Sequence, residues 1–302
     1  QHTHTYNPDL TPYLSIETRP NHKPLARSQA DTNAILKREF SLAAVMHNSL
    51  WCFDMWGGVF STPETMALVK RAHEIWNAHK DDNLPVRAEI VCVYDPASAP
   101  YAQQMQFIHM KHILFSCGAP FDNIFFDDVS KVDFSKYKVV VFPHSWEITP
   151  EKKKILDQYV FTGGKTVITT EGFGITDGKK LDPSFTEKLT GFKYKSEGVN
   201  SKDMGGWTSV YAGSKTNFSG QNFMDIIKRA GVHTYTDEPL PVYANEKLVA
   251  VHVKDGGKKT IYLPSGAKKV KELFSGRTIE VNGGKFDYGF ASPDTALFEL
   301  ID

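Results

Sequence analysis

The chain has 302 residues, and at roughly 150 residues per domain this length corresponds to two or three domains. Its 35 Lys and Arg residues are balanced by 35 Asp and Glu residues, so the formal net charge is zero. That balance argues against a general nucleic-acid binder or a polybasic membrane binder, because both need clustered positive charge. An aromatic content of 12% argues against a disordered chain. No run of 18 apolar residues occurs, so no membrane span is expected.

The sequence opens with two predicted strand–helix pairs. Residues 11–17 (TPYLSIE) and 50–56 (LWCFDMW) have the composition of short strands. Residues 30–46 have apolar positions at helical spacing and predict a helix. A second helix is predicted over 62–79, with Thr62 as its N-cap.

The middle of the chain continues this alternation with more apolar strands. The pattern predicts strands at 87–95, 123–127, 137–143 and 165–172, irregular strands around 207–211, and helices at about 99–116, 150–161, 182–191 and 219–231. Strands that alternate with helices in this way predict a parallel, doubly wound sheet.

Beyond residue 231 the apolar residues alternate with a period of two. This pattern predicts an antiparallel β module that extends to the end of the sequence. The Gly-Gly pairs at 256–257 and 283–284 predict hairpin turns within it.

The three cysteines do not have the spacing of a metal or redox site. Cys52, Cys92 and Cys117 form no C-x-x-C pair, and we expect them to be small buried hydrophobic residues. His109 and His112 lie three apart on a predicted helix, but the sequence indicates no third ligand beside them. No metal and no cofactor are therefore expected.

Glu17 is the first candidate for a catalytic residue. The pleat of a strand over 11–17 puts Tyr13, Ser15 and Glu17 on one face and Leu14 and Ile16 on the other. In a β/α barrel, Glu17 would then lie at the carboxyl end of its strand, where barrel enzymes place their catalytic groups. The alternative is a solvated carboxylate at a strand end.

Asp54 and Trp56 are candidates for sugar binding. They share one face of the predicted strand 50–56 and precede Gly57 and Gly58, whose backbone allows a ligand to approach closely. A carboxylate accepts hydrogen bonds from sugar hydroxyls, and an indole ring offers an apolar face to a pyranose. The alternative is that Asp54 caps the following turn and Trp56 packs in a core.

These candidates would meet if strands 11–17 and 50–56 are neighbours. The ends of adjacent strands lie about 5 Å apart, so Glu17 and Asp54 could share one pocket. The loop that follows Glu17, RPNHKPLAR, begins with Arg19 and could shape the entrance to such a pocket or keep Glu17 ionised. The alternative for this loop is a solvated charged segment.

The predicted parallel sheet carries polar residues at strand ends, but none in a known catalytic pattern. No glycine-rich loop follows Tyr94 and Asp95, which argues against dinucleotide binding. The segment 144–147 (HSWE) holds His, Ser and Glu, but adjacent residues of one loop do not form a catalytic triad, and no G-x-S-x-G motif is present. Glu171 is an equally weak candidate.

The order of these features resembles the carboxyl half of family 42-type β-galactosidases and related clan A glycoside hydrolases. The resemblance is carried by a strand that ends in Ile16-Glu17, a charged loop, a long helix, WCFDMWGG, another helix and RAEIVCVYD. It implies three parts, in chain order. Residues 1–82 would be the last two βα units of a TIM-barrel-like catalytic domain, 83–231 a flavodoxin-like or amidotransferase-like trimerisation domain, and 232–302 a small antiparallel β domain.

The same resemblance implies roles for the candidate residues. Glu17 would be the nucleophile of a retaining glycosidase, with Asp54, Trp56 and Arg19 as substrate contacts and the acid/base upstream of residue 1. A whole barrel needs eight βα units, and the sequence has room for two. We therefore expect part of a glycoside hydrolase acting on a carbohydrate, with a β-galactoside as one candidate, and a homo-oligomer, in the family a trimer, formed through the α/β domain.

Two other interpretations remain open from the sequence. The chain could be a non-catalytic carbohydrate-binding or oligomerisation module, which exposed Trp146 and Trp207 lining one groove would favour. A free-standing amidotransferase-like enzyme is disfavoured, because no cysteine lies at a strand–helix elbow. The sequence opens without Met or a cationic-then-apolar signal, so we expect either that a leader was removed or that a longer chain continues upstream. A periplasmic or extracellular location is favoured and a cytoplasmic one left open.

Overall fold

The structure is a computed structural model that describes residues 28–51, 60, 62–101, 104–213, 218–264 and 266–302. The chain divides into two compact units. One unit combines Gln1–Val86 with Tyr235–Asp302, and the other is Arg87–Thr234. The second unit therefore interrupts the first in sequence.

Two long helices belong to the first unit, and both confirm the sequence prediction. Helix α1 is Gln29–Val45, and Ser28 caps it by accepting a hydrogen bond from the Asp31 N–H. Helix α2 is Pro63–His79. The proline occupies the first helical position, where its missing N–H removes no hydrogen bond, as the sequence indicates.

A six-stranded sheet forms the centre of the second unit. Its strands are β1 (Ile90–Tyr94), β2 (Phe121–Phe125), β3 (Val139–Phe142), β4 (Thr166–Thr170), β5 (Val199–Asp203) and β6 (Thr208–Ala212). Their order is β2-β1-β3-β4-β6-β5, and all neighbours are parallel except β5 and β6. The predicted parallel sheet is confirmed, with an antiparallel strand added at one edge.

In the described part of the second unit, four α-helices accompany this sheet. They are α3 (Gln104–Phe115), α4 (Pro150–Ile155), α5 (Ser184–Thr190) and α6 (Gly220–Arg229), and a π-helical stretch, Leu156–Val160, continues α4. Ile113 and Leu114 of α3 and Phe223 and Ile227 of α6 share one core cluster with side chains of the four central strands. The apolar runs of the sequence are therefore strands that bury nearly every residue, as parallel strands do.

The first unit is completed by seven antiparallel strands. They are β7 (Val242–Ala244), β8 (Leu248–Val253), β9 (Gly257–Tyr262), β10 (Lys269–Glu272), β11 (Thr278–Glu280), β12 (Lys285–Phe290) and β13 (Asp294–Ile301). Five form a sheet in the order β11-β10-β13-β8-β7, and β12 pairs with β9 in a second sheet. The predicted antiparallel module is confirmed.

The two Gly-Gly pairs have different roles, and one predicted hairpin is wrong. Strands β8 and β9 flank Gly256 but belong to different sheets. A Cβ at Gly256 would lie 2.4 Å from the Ala291 carbonyl oxygen, so this glycine permits a close backbone contact. Gly283 and Gly284 have φ of +60° and +74° and do form a tight turn, although it links strands of two different sheets.

Helix α1 packs against the five-stranded sheet of its own unit. Phe40, Ala44 and Val45 share a core cluster with Leu248 of β8 and Leu297 of β13. Polar contacts accompany this packing: the Thr295 hydroxyl donates to the Ala34 carbonyl (2.8 Å), the Lys37 ammonium pairs with Asp294 (2.9 Å), and the Asn245 amide donates to the Val45 carbonyl (3.0 Å). The assignment of residues 1–82 to the end of a barrel remains a prediction. Within the described ranges, no helix combines the length and apolarity that a membrane span requires.

Cys92 and Cys117 are buried, as the sequence predicts, and Cys52 lies outside the described residues. Burial raises the pKa of both thiols to about 12. At pH 8 about one such thiol in ten thousand is ionised, and only the thiolate reacts.

We therefore expect native protein carrying Cys52→Ser to be inert to a thiol reagent such as DTNB at pH 8. After unfolding in guanidinium chloride, two thiols per chain should react. Rapid reaction of either thiol in the native protein would contradict this buried placement.

Candidate functional site

The four residues that the sequence assigns to a sugar site lie outside the described residues. Glu17 and Arg19 precede Ser28, and Asp54 and Trp56 lie between Trp51 and Phe60. Their roles and their proximity to one another stay predictions. The described residues that adjoin these segments are the first turns of α1 and α2.

A small hydrogen-bond network joins the starts of these two helices. The Gln29 amide donates to the Thr65 hydroxyl (2.8 Å), and the Thr62 hydroxyl donates to the Gln29 amide oxygen (3.1 Å). Thr62 also caps α2 by accepting from the Thr65 N–H (3.2 Å). Thr65 is fully buried, whereas Gln29 and Thr62 are half-buried, and we call this network the helix-start clamp. It fixes the amino ends of α1 and α2 side by side.

The helix-start clamp gives a stability prediction. Thr65→Val keeps the shape of the side chain but removes the buried hydroxyl that accepts the Gln29 amide hydrogen. We expect the free energy of unfolding to fall by about 1–2 kcal/mol, measured by guanidinium titration. Met66→Ala, at an exposed position of the same turn, is the matched control and should change stability far less. Equal effects of the two substitutions would show that the clamp contributes nothing.

An apolar groove lies between α1 and α2. Its volume is about 280 Å³, and it is lined by Leu36, Phe40, Ala43, Asn48, Ser49, Leu50, Leu68, Val69, Ala72, His73, Trp76 and Phe274. The chain leaves α1 along this groove: Leu50 lines it and is 45% exposed, whereas the next residue, Trp51, is 75% exposed. The side chains that line the groove are mainly aliphatic and aromatic, so the groove offers few polar groups to orient a sugar.

A buried ion pair lies at the carboxyl ends of β1 and β3. Asp95, which follows β1 directly, is 2% exposed and binds the Lys152 ammonium at 2.8 and 2.9 Å. The Ser98 hydroxyl donates to Asp95 (2.7 Å) and accepts from the Glu147 N–H (3.0 Å). Asp95 and Lys152 are not among the residues that the sequence predicts to be functional, although an acid directly after a buried strand is a usable signal. Because the polar groups of Asp95, Ser98 and Lys152 bind one another, the network joins the loop after β1 to the segment after β3.

The segment 144–147 does not assemble a nucleophile. Ser145 is buried, and its hydroxyl has no hydrogen-bond partner among the described residues, so no base activates it. The His144 ring packs edge-on against Tyr94, with ring centroids 6.3 Å apart. Burial lowers the pKa of His144, and the nearby Asp95 charge opposes that shift. This geometry agrees with the sequence argument against a triad.

The tryptophans of this unit serve packing. Trp207 is 8% exposed and stacks on Phe161, with ring centroids 4.3 Å apart. The ring of Trp146 covers Gly172, where an added Cβ would lie 2.5 Å from the indole. An exposed groove lined by Trp146 and Trp207 would have favoured a binding module, and the burial of Trp207 does not meet that condition. Among the described residues, no three His, Cys, Asp or Glu side chains are grouped closely enough to hold a metal ion.

The Asp95–Lys152 pair gives a second stability prediction. Lys152→Met leaves the buried Asp95 carboxylate without its cation, and we expect a loss of about 3–5 kcal/mol. Asp95→Asn combined with Lys152→Met should lose less than Lys152→Met alone, because no charge is then stranded. Lys153→Met is the control: its partner Asp157 is exposed, and such pairs contribute at most about 1 kcal/mol. Denaturant midpoints that do not separate Lys152→Met from Lys153→Met would contradict the buried placement.

The fold is similar to solved structures of β-galactosidases. One, from Bacillus circulans sp. alkalophilus, has a TM-score of 0.57 and 16% identity over 81% of this chain and 45% of its own. Another, from the psychrophilic Marinomonas ef1, has a TM-score of 0.56 and 13% identity over 93% of this chain and 51% of its own. A catalytic mutant of a GH42 β-galactosidase from G. stearothermophilus has a TM-score of 0.52 and 15% identity, with coverage of 77% and 44%.

These comparisons confirm the resemblance to family 42-type β-galactosidases at the level of fold. The chain spans about half the length of the enzymes it matches. No protein-family model matches the sequence, and no curated protein sequence matches it. The structural likeness, at 13–16% identity, is a likeness of architecture.

Proposed function

We propose that the chain is part of a retaining glycoside hydrolase that acts on a carbohydrate, with a β-galactoside as the first substrate class to test. Three features support this proposal: the likeness of fold to β-galactosidases, the carboxylate Glu17 at the end of a strand that the sequence predicts, and the Asp-Met-Trp-Gly-Gly run that contains Asp54 and Trp56. Glu17 is the proposed nucleophile. Asp54, Trp56 and Arg19 are the proposed sugar contacts.

In this mechanism the Glu17 carboxylate attacks the anomeric carbon and forms a covalent glycosyl-enzyme. A carboxylic acid protonates the leaving oxygen, and the same group then activates the water that releases the sugar. In retaining enzymes the two carboxyl groups lie about 5–5.5 Å apart. We assign the acid/base to polypeptide outside these 302 residues, because Asp54 is better suited to accept hydrogen bonds from sugar hydroxyls.

The observation that carries the proposal is the helix-start clamp. In a βα unit the helix begins shortly after the carboxyl end of its strand, which is where barrel enzymes place their chemistry. The segment that carries Glu17 leads into α1, and the segment that carries Asp54 leads into α2. Since Gln29, Thr62 and Thr65 hold the two helix starts together, the clamp supports a shared pocket for the two carboxylates.

We further propose that residues 83–231 form a flavodoxin-like assembly domain through which the protein forms a homo-oligomer. The order of its parallel strands, β2-β1-β3-β4-β6, supports this, because flavodoxin-type sheets have the order 2-1-3-4-5. The Asp95–Lys152 pair supports an architectural role, since it fills the crevice between β1 and β3 where such sheets bind ligands.

A non-catalytic carbohydrate-binding or oligomerisation module is the second candidate. It is favoured by the second unit, where the strand-end carboxylate Asp95 is paired with Lys152 and is not open to a ligand.

The two candidates separate on hydrolysis and binding measured with the same preparation. We expect nitrophenyl β-galactoside to bind, detected by calorimetry, and Trp56→Ala to weaken that binding by at least tenfold. If hydrolysis is also seen, Glu17→Gln should abolish it, whereas Glu64→Gln, on the exposed first turn of α2, should leave it unchanged. A nitrophenolate leaving group needs little protonation, so the first proposal predicts its release by Glu17 even without the acid/base. Binding without any nitrophenolate release supports the module, and absence of both from a panel of nitrophenyl glycosides would contradict both proposals.

A further inference from the structure

His252 of β8 lies at the contact between α1 and the five-stranded sheet. It is on the side of β8 that carries Leu248 and Ala250, two residues of the core cluster in which α1 packs. The Nδ1 atom of its ring is 2.9 Å from the Thr295 hydroxyl on β13. That hydroxyl donates to the carbonyl of Ala34 on α1 (2.8 Å). His252 is therefore linked to α1 through one side chain of the neighbouring strand.

These two hydrogen bonds determine where the imidazole carries its proton. The single hydrogen of the Thr295 hydroxyl goes to the Ala34 carbonyl, so Thr295 accepts the hydrogen bond from His252. The neutral ring therefore has its proton on Nδ1, and Nε2 is the atom that binds a second proton in acid.

Charged side chains of α1 lie near this ring. The positive charge of Arg38 opposes a second positive charge on His252. Glu39 binds the Arg38 guanidinium (2.6 and 3.0 Å) and offsets part of that charge. Lys37 is paired with Asp294 of β13 (2.9 Å). A charged imidazole at this contact would therefore add to a cluster that already holds two cations.

The sheet contributes one carboxylate and one phenol. Asp294 favours the charged form of the imidazole. Burial raises the pKa of Tyr243 on β7 to about 12, so this side chain is neutral. Lys254, which follows β8, is exposed. Burial and then Arg38 lower the pKa of His252 to about 4, although Asp294 opposes this shift.

We infer that His252 is an acid-sensitive latch, whose neutral ring holds α1 on the sheet and whose protonation favours release of the helix. Release lets the charged imidazole enter water and move away from Arg38, so the released state binds the proton that the packed state resists. Acid thereby loosens the first unit without acting on the second. The inference goes beyond the proposed function, because the latch works whether or not Glu17 is catalytic.

The pH range of the latch follows from the two states of the ring. An exposed histidine has a pKa of about 6.5, so the released state begins to bind its proton near that pH. The packed state does so only near pH 4. Between these values release takes up a proton, and the packed state loses stability as the pH falls. At pH 5 the ratio of released to packed α1 should exceed its value at pH 8 by at least tenfold.

Hydrogen–deuterium exchange of the full chain at pH 8 and pH 5, corrected for intrinsic exchange rates, tests the latch without measuring activity. His252→Asn keeps an N–H donor near the position of Nδ1 but cannot bind a proton. His73→Asn, at an exposed position of α2, is the matched control. We expect α1 peptides to lose protection at least tenfold at pH 5 in the wild type and in His73→Asn, and less than threefold in His252→Asn.

Peptides from β3 in the second unit should keep their protection in all three proteins. An equal loss in the wild type and in His252→Asn would overturn the inference. An equal loss in α1 and in β3 would also overturn it, because acid would then unfold the whole chain rather than release one helix.

A titration of the wild-type protein keeps the inference testable if His252→Asn does not fold. Histidine ring signals are followed by NMR from pH 8 to pH 4, and the signal of His252 is identified by its contact with Thr295. A titration midpoint below pH 5.5 supports the latch. A midpoint at or above pH 5.5 would overturn it, since the packed state would then accept the proton almost as readily as the released state.

Discussion

The packing of α1 against the five-stranded antiparallel sheet is the contact on which its unit depends. Phe40 and Ala44 join strands β8 and β13 in one core, so residues near the two ends of the sequence form a single hydrophobic cluster. Three polar contacts, from Lys37, Thr295 and Asn245, fix the helix along this sheet. Because α1 is held there, its other apolar residues are presented to α2.

The second unit buries its apolar residues in a different way. Its central strands are buried on both faces, so charged groups are confined to the loops at the strand ends. The carboxylate of Asp95 is buried in one of these loops, and both Lys152 and Ser98 bind it directly. The loops that follow β1 and β3 are thereby joined to each other.

The sequence predicts where the helices and strands of this protein lie better than it predicts which of them pack against one another. Periodicity locates α1 and α2 within one or two residues, because capping by Thr62 and the apolar stripes are local signals. The contact of α1 with β13 is not local, and no pattern in residues 30–46 specifies which surface will cover Phe40. For the same reason the Gly-Gly pair at 256–257 predicts a hairpin turn, whereas in the structure Gly256 allows the backbone at Ala291 to approach closely.

The predicted sugar site illustrates the same limit. Alternation assigns Glu17 and Asp54 to strand ends, which is a statement about local geometry. Whether two strand ends meet depends on what holds the following helices, and the Gln29–Thr65 hydrogen bond has no signature in sequence. Trp207 shows the same limit for a single side chain: the sequence does not specify whether it is exposed, and in the structure it is buried and stacks on Phe161.

The second unit is inserted between the two parts of the first unit, so surfaces that pack together in the first unit are synthesised at different times. The Thr295 hydroxyl binds the Ala34 carbonyl across 261 positions of the chain. At a translation rate of about 5–20 residues per second, α1 leaves the ribosome on the order of 10–50 s before the strand that covers it. During that interval Phe40 and its neighbours face water while Arg87–Thr234 is made and folds. The delay between the synthesis of α1 and that of its covering strand is therefore set by where the second unit is inserted.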